Sequence, residues 1–191
     1  MSEHIKVADP LALGYGAFAT TLFALGWVIA GLVPPPLMLA YVPLALFLGG
    51  ITMLLAGMWA FRACQTFNAT VFSAYAAMWL AVGFLMLNLN SPALNFGPAA
   101  PAAPLLIFIP FTFFTLYVWI ASFRLSALVI IFYTLLFVAL ILLDLVFLGS
   151  MSPRVTGTIC IICAVAGWYV SAAELFRAVY GRTILPLCSR E

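Results

Sequence analysis

What most constrains this chain is where it carries no charge. No Asp, Glu, Lys, Arg or His occurs between Asp9 and Arg62, and none between Arg62 and Arg124. Each interval is long enough for two membrane-crossing helices of roughly 20 residues and the turn between them. The chain is 67% hydrophobic and 6% charged, where an ordinary soluble domain carries about a quarter charged residues. These features predict an all-α membrane protein spanning the bilayer several times, with residues 1–191 forming a single transmembrane domain. The apolar runs are continuous, whereas a membrane β-barrel alternates in short segments. A net charge of +2 without a basic cluster predicts no nucleic-acid partner.

Breakers and glycines divide the runs into six expected spans, at about 13–33, 40–61, 66–87, 105–122, 126–148 and 155–179. Pro34, Pro35 and Pro36 stop the first, since consecutive prolines cannot continue a helix. The second carries Gly49, Gly50 and Gly57, small residues that let helix backbones approach closely. A long uncharged loop rich in Pro, Asn and Ala follows the third span. Pro110 falls near the start of the fourth, where a proline costs least. The N-terminal ten residues lack the basic start and cleavage site of a signal peptide, so the first hydrophobic stretch is expected to remain as a helix. Lys6, Arg62, Arg124, Arg177, Arg182 and Arg190 fall on one side of such a bundle and only Arg154 on the other. The positive-inside rule then puts both termini in the cytoplasm, with the plasma (inner) membrane as the expected location.

The third span differs from the rest. Gln65, Thr66, Asn68, Thr70, Ser73 and Tyr75 put six polar side chains into its first half. Polar groups facing lipid are costly without a partner. On a helix of 3.6 residues per turn, Asn68, Phe72, Tyr75 and Trp79 share one stripe. Such a stripe suits either the wall of a narrow path or hydrogen-bonded glue between helices.

Residues for catalysis are missing. The sole histidine, His4, lies in the polar N-terminal tail, and no nucleophile–base set, phosphate loop or carboxylate pair can be assembled. We therefore expect no enzyme, no cofactor and no metal. Cys160 and Cys163 form a C-x-x-C inside an apolar run, without the two further ligands a zinc site needs; they read as buried thiols. Asp144, in the outer half of the fifth span, is expected to pair with Arg154, to face the outer mouth or to relay protons. Glu174 and Arg177 are spaced as an i,i+3 pair. With no ionised group at mid-span, the path suits passive or weakly coupled movement of a small solute, gated by an apolar constriction.

Several segments in order resemble the acetate uptake transporter family. The N-terminal stretch Asp9-Pro10-Leu11-Ala12-Leu13-Gly14-Tyr15 stands where that family has Asn-Pro-Ala-Pro-Leu-Gly-Leu, with Phe18, Thr20 and Thr21 at matching places. Gly49, Gly50, Ala56 and Gly57 match in the second span. Cys64-Gln65-Thr66-Phe67-Asn68 stands for Gly-Asn-Thr-Phe-Gly, and Phe72, Ser73, Tyr75 and Trp79 follow in register. Cys163, Tyr169, Glu174 and Gly181-Arg182-Thr183-Ile184-Leu185-Pro186 match near the end.

The resemblance implies a six-helix protomer with its own pore, assembled as a homohexamer. It implies a constriction of Phe18, Tyr75 and Leu136, with the adjacent Leu135 as the other choice for the last position. Thr20, Thr21, Thr66, Asn68, Thr70, Phe72, Ser73 and Gly167 become candidates for the substrate path, and Asp9, Pro10 and Gly14 carry the signature. Departures are Asp9 for Asn, Ala12 for Pro, Met53 for a Gln, Ala60 for a Glu, Gln65 for Asn and Asn68 for Gly. The Met53 change removes one donor for a carboxylate. Three functions stay open: a channel or permease for small monocarboxylates such as acetate, with succinate as a further substrate; a channel for urea, an amide or ammonia; and a non-transporting membrane subunit.

Overall fold

The computed structural model describes residues 7–89 and 96–188. His4, Lys6, the loop around Asn95 and Arg190 lie outside them. Helix α1 spans Leu11–Ile29, α2 Met53–Arg62, α3 Thr66–Asn88, α4 Leu105–Ser122, α5 Ala127–Phe147 and α6 Pro153–Tyr180. Short 3-10 segments, Pro35–Tyr41 and Gly97–Ala102, precede the second and fourth spans, and a wide π-helical stretch, Leu44–Thr52, runs into α2. Together these make six helical spans long and apolar enough to cross a membrane. The described residues contain no strand.

The end of α1 departs from the expected one. The helix stops at Ile29 because Gly31 takes a left-handed conformation, φ 71°. The Gly31 and Leu32 amides then turn back onto the Val28 and Trp27 carbonyls, closing the helix before the prolines are reached. Pro35 and Pro36 start the next span with a 3-10 turn, which needs no amide from either. The second span is not uniform α-helix. Its π-helical stretch carries Gly49 and Gly50, and a Cβ on Gly49 would lie 2.8 Å from both Thr21 Oγ1 and the Trp79 ring.

Helices α1 and α6 run antiparallel along a close seam. Gly26 meets Gly157, the Trp168 indole donates to Thr20 Oγ1 (2.9 Å) and Ser171 donates to the Ala12 carbonyl (2.6 Å). A Cβ on Gly157 would collide with the backbone of Ala30, so only glycine permits this approach. The α2–α3 and α4–α5 pairs are joined by short turns, and α5 also packs on α6. Beyond Gly181 the chain folds back: the Ala127 amide, first in α5, donates to the Cys188 carbonyl (3.2 Å), and Tyr169 donates to Pro186 (3.3 Å).

The outside of the bundle is apolar. Leu106, Phe113, Val179 and Phe47 are among the most exposed side chains, as expected of a surface that meets lipid or other protomers rather than water. The centre is aromatic: Trp79, Tyr75, Tyr133, Phe18, Phe72 and Phe132 are fully buried.

Candidate permeation site

The site follows from helical spacing. Tyr15 and Phe18 lie one turn apart on α1, Phe72 and Tyr75 on α3, and Tyr133 and Leu136 on α5. These three helices run in the same direction through the bundle, so the residues form two layers. Phe18, Tyr75 and Leu136 make one layer. Tyr15, Phe72 and Tyr133 make the next, one turn towards the end where α1 begins. Phe132 and Met53 complete the wall of a cavity of about 10 Å³ enclosed by both layers. That volume is about one water probe, so no water column crosses here. All eight lining residues are no more than 2% exposed.

Edge-to-face contacts hold the rings in place. The Phe18 ring lies 5.2 Å from Tyr75 and 5.7 Å from Phe132, and the Tyr15 ring lies 5.3 Å from Phe72. The Tyr75 hydroxyl is bonded to Thr115 on α4 at 2.7 Å. Met53 puts a thioether into this wall, so the departure from the family's Gln falls in the narrowest part of the bundle.

On the side where α1, α3 and α5 end, a larger cavity of about 260 Å³ opens between all six spans, lined by Leu25, Val82, Phe108 and Phe147 among others. At the opposite end, polar residues connect three elements. Asp9 caps α1 through the Leu11 amide (3.1 Å), accepts from Gln65 (3.4 Å) and lies 3.8 Å from Arg177; Asn68 donates to Gln65 (3.2 Å). Arg177 also pairs with Glu174 at 2.6 Å, the expected i,i+3 contact. Pro10 is buried at the start of α1, and Gly14 leaves room for the Phe72 ring, which a Cβ there would strike.

The structure separates the other path candidates. Phe72 lines the cavity and Gly167 backs it, a Cβ there falling 2.9 Å from the Phe132 ring. Thr21 is buried and donates to its own helix at Ala17, and Thr20 does the same at Gly16 beside Trp168. Asn68 belongs to the polar cluster just described. Thr66 and Thr70 are exposed on the outer face of α3, and Ser73 sits in the α2–α3 seam against Gly57. Those three are away from the cavity because α3 turns its Phe72–Tyr75–Trp79 stripe inward, leaving the intervening positions outside or between helices.

For Asp144, one of the three expected alternatives is removed. It accepts from Thr112 on α4 at 2.6 Å, and among the described residues the ion pairs are those of Arg177 with Asp9 and Glu174, so Arg154 is not its partner. Arg154 is exposed in the first turn of α6, whereas Asp144 faces α4. Cys160 and Cys163 are buried and free. Sequence reasoning missed Tyr15, Phe132, Tyr133 and Thr115. The first three were detectable as aromatic neighbours, one turn or less, of the residues it did select.

The chain has well-matched relatives. The model of the GPR1/FUN34/yaaH family matches residues 1–185. The succinate-acetate/proton symporter SatP of Escherichia coli K12 is 27% identical over 192 aligned positions, covering 95% of this chain and 96% of that protein. Acetate permease A of Emericella nidulans is 38% identical over 87 residues, which are 44% of this chain and 28% of the permease. Among solved structures, the bacterial acetate channel SatP superimposes with a TM-score of 0.80 at 26% identity, over 95% of this chain and 99% of that one.

Proposed function

The chain belongs to the GPR1/FUN34/yaaH family, and from that premise we propose that it is a membrane channel or permease for small monocarboxylates, acetate first and succinate as a larger alternative. It is a transport protein, not an enzyme. The reading rests above all on its likeness to the solved acetate channel along almost the whole chain. The aromatic cavity agrees with it: a dry, narrow middle beneath a wider apolar vestibule is the form of a hydrophobic gate.

In this proposal Phe18, Tyr75 and Leu136 form the constriction of a pore within each protomer. Phe72 and Gly167 support it, and Asp9, Gln65 and Asn68 stand at the inner mouth. The protomers assemble as a homohexamer. Arg62, Arg124, Arg177 and Arg182 gather at the end where α1 begins and α6 ends, with Arg154 at the other. We accordingly orient both termini to the cytoplasm and place the protein in the plasma (inner) membrane. Thr20, Thr21, Thr66, Thr70 and Ser73 are left out of the path.

The test is flux into liposomes containing the purified protein, measured above protein-free vesicles. Labelled acetate should enter saturably and faster than labelled urea. Faster urea entry would replace the substrate, and entry of neither would leave a non-transporting subunit.

A further inference from the structure

Thr115 was not selected by any sequence pattern, yet it is bonded to Tyr75, which carries the hydroxyl of the constriction layer. It is fully buried on α4. Its Oγ1 lies 2.6 Å from the Phe111 carbonyl and 2.7 Å from the Tyr75 hydroxyl. Each hydroxyl has one proton, and a carbonyl only accepts. The Thr115 proton therefore goes to Phe111. Its oxygen is left to accept, and the Tyr75 proton goes to Thr115. The carbonyl at the end of this chain sets the direction of both bonds.

We infer that Thr115 is a positioning residue that makes Tyr75 an acceptor at the constriction, so that the pore passes the undissociated acid in preference to its anion. This rests on the reading of the cavity as a carboxylate path. With its proton committed, Tyr75 offers a substrate only lone pairs. A carboxylate has nothing but lone pairs to offer in return, and it would enter an apolar passage stripped of water, which is costly for a charge. A carboxylic acid has an O–H that donates to Tyr75, and it loses far less hydration. Phe18 and Leu136, in the same layer, supply no donor. Each acid that passes carries one proton with it, and no side chain has to titrate.

The surrounding groups leave this assignment intact. The titratable side chains near Tyr75 are Tyr15 on α1, Tyr117 on α4, Tyr133 on α5 and Cys163 on α6. None is an imidazole, the side chain whose charge ordinarily changes between mildly acidic and neutral pH, and none is a carboxylate or an amine. Glu174 acts on Tyr15 from beyond and is paired with Arg177. Tyr15 and Tyr133 lie a turn inward and meet the substrate as a separate layer.

The experiment is the pH profile of labelled acetate uptake by proteoliposomes, with internal pH held constant and protein-free flux subtracted. Above the acid's own pKa the undissociated fraction falls about tenfold per pH unit, and wild-type uptake should fall in step. Thr115→Val keeps the side-chain shape, removes the acceptor and frees the Tyr75 proton. Its profile should flatten, giving several-fold more uptake than wild type at the highest pH. Thr115→Ser should restore the steep profile, and Tyr75→Phe combined with Thr115→Val should abolish the flattening. Thr115→Ala takes the place of Thr115→Val if the valine variant does not insert. A slope equal to the wild type's in Thr115→Val, or in Thr115→Ala where that variant replaces it, at confirmed incorporation would overturn the role of Thr115. Wild-type flux no greater than that of empty vesicles would instead overturn the carboxylate path itself.

Discussion

At the scale of single residues, the clearest case is the adjacent pair Leu135 and Leu136. Sequence alone could not choose between them, because both are leucines in a uniformly apolar helix. The fold makes Leu136 1% exposed in the cavity wall and leaves Leu135 partly buried outside it. Leu136→Ala should therefore widen a space that is now only about the size of one water probe. We expect lactate or succinate uptake to rise several-fold relative to acetate, with a stability loss of about 2–5 kcal/mol. Competitive uptake at matched surface level measures this, and Leu135→Ala should leave the ratio at the wild-type value. An unchanged ratio in Leu136→Ala would remove that residue from the constriction. Tyr75 shows how a role changes once partners are visible. From sequence it is a hydroxyl on the α3 stripe, assigned to the constriction by resemblance. In the fold it is bonded to Thr115, whose own hydroxyl also meets the Phe111 carbonyl. A threonine within α4 looks like any hydroxyl that bonds back to its own helix, so nothing in the sequence distinguishes Thr115 from Thr112.

At the scale of elements, the α1–α6 seam depends on how near two backbones can come. Gly157→Ala would drive a methyl group into the Ala30 backbone and the Gly26 carbonyl. Backbone atoms cannot move aside like a flexible side chain, so the two helices must part, at a cost of about 1–3 kcal/mol. Thermal unfolding in detergent should show a clearly lowered midpoint, whereas Val155→Ala, at an exposed position on the same helix, should change it little. Equal behaviour of the two variants would mean that the seam does not hold the bundle. The bounds of α4 were legible because Pro104 ends one segment and a short polar turn follows Ser122. The end of α1 was not, because a left-handed Gly31 stops the helix before the more conspicuous prolines. The π-helical stretch was not legible either. Its widened turn arises from packing Gly49 and Gly50 against α1 and α3, and no local propensity encodes it.

At the scale of the whole molecule, the thiols test the orientation. Cys64, in the α2–α3 turn, and Cys188, in the tail, are exposed at the same end of the bundle, while Cys160 and Cys163 are buried. An impermeant maleimide added to intact cells should label none of the four. After permeabilisation Cys64 and Cys188 should react, and the buried pair only on unfolding. Labelling of Cys188 in intact cells would invert the bundle. The sequence by itself determined the class, the number of spans and the gathering of arginines at one end, since hydropathy, length and charge are additive along a chain and need no partner. It also located the aromatic stripe of α3, because helical period converts spacing into a shared face. Which stripe faces the centre, which leucine closes it and which hydroxyl surrenders its proton were decided only by the tertiary structure. Those outcomes depend on residues far apart in the chain, such as Phe18, Tyr75, Thr115 and Leu136, meeting at one depth, and a pairwise meeting leaves no mark on either segment alone.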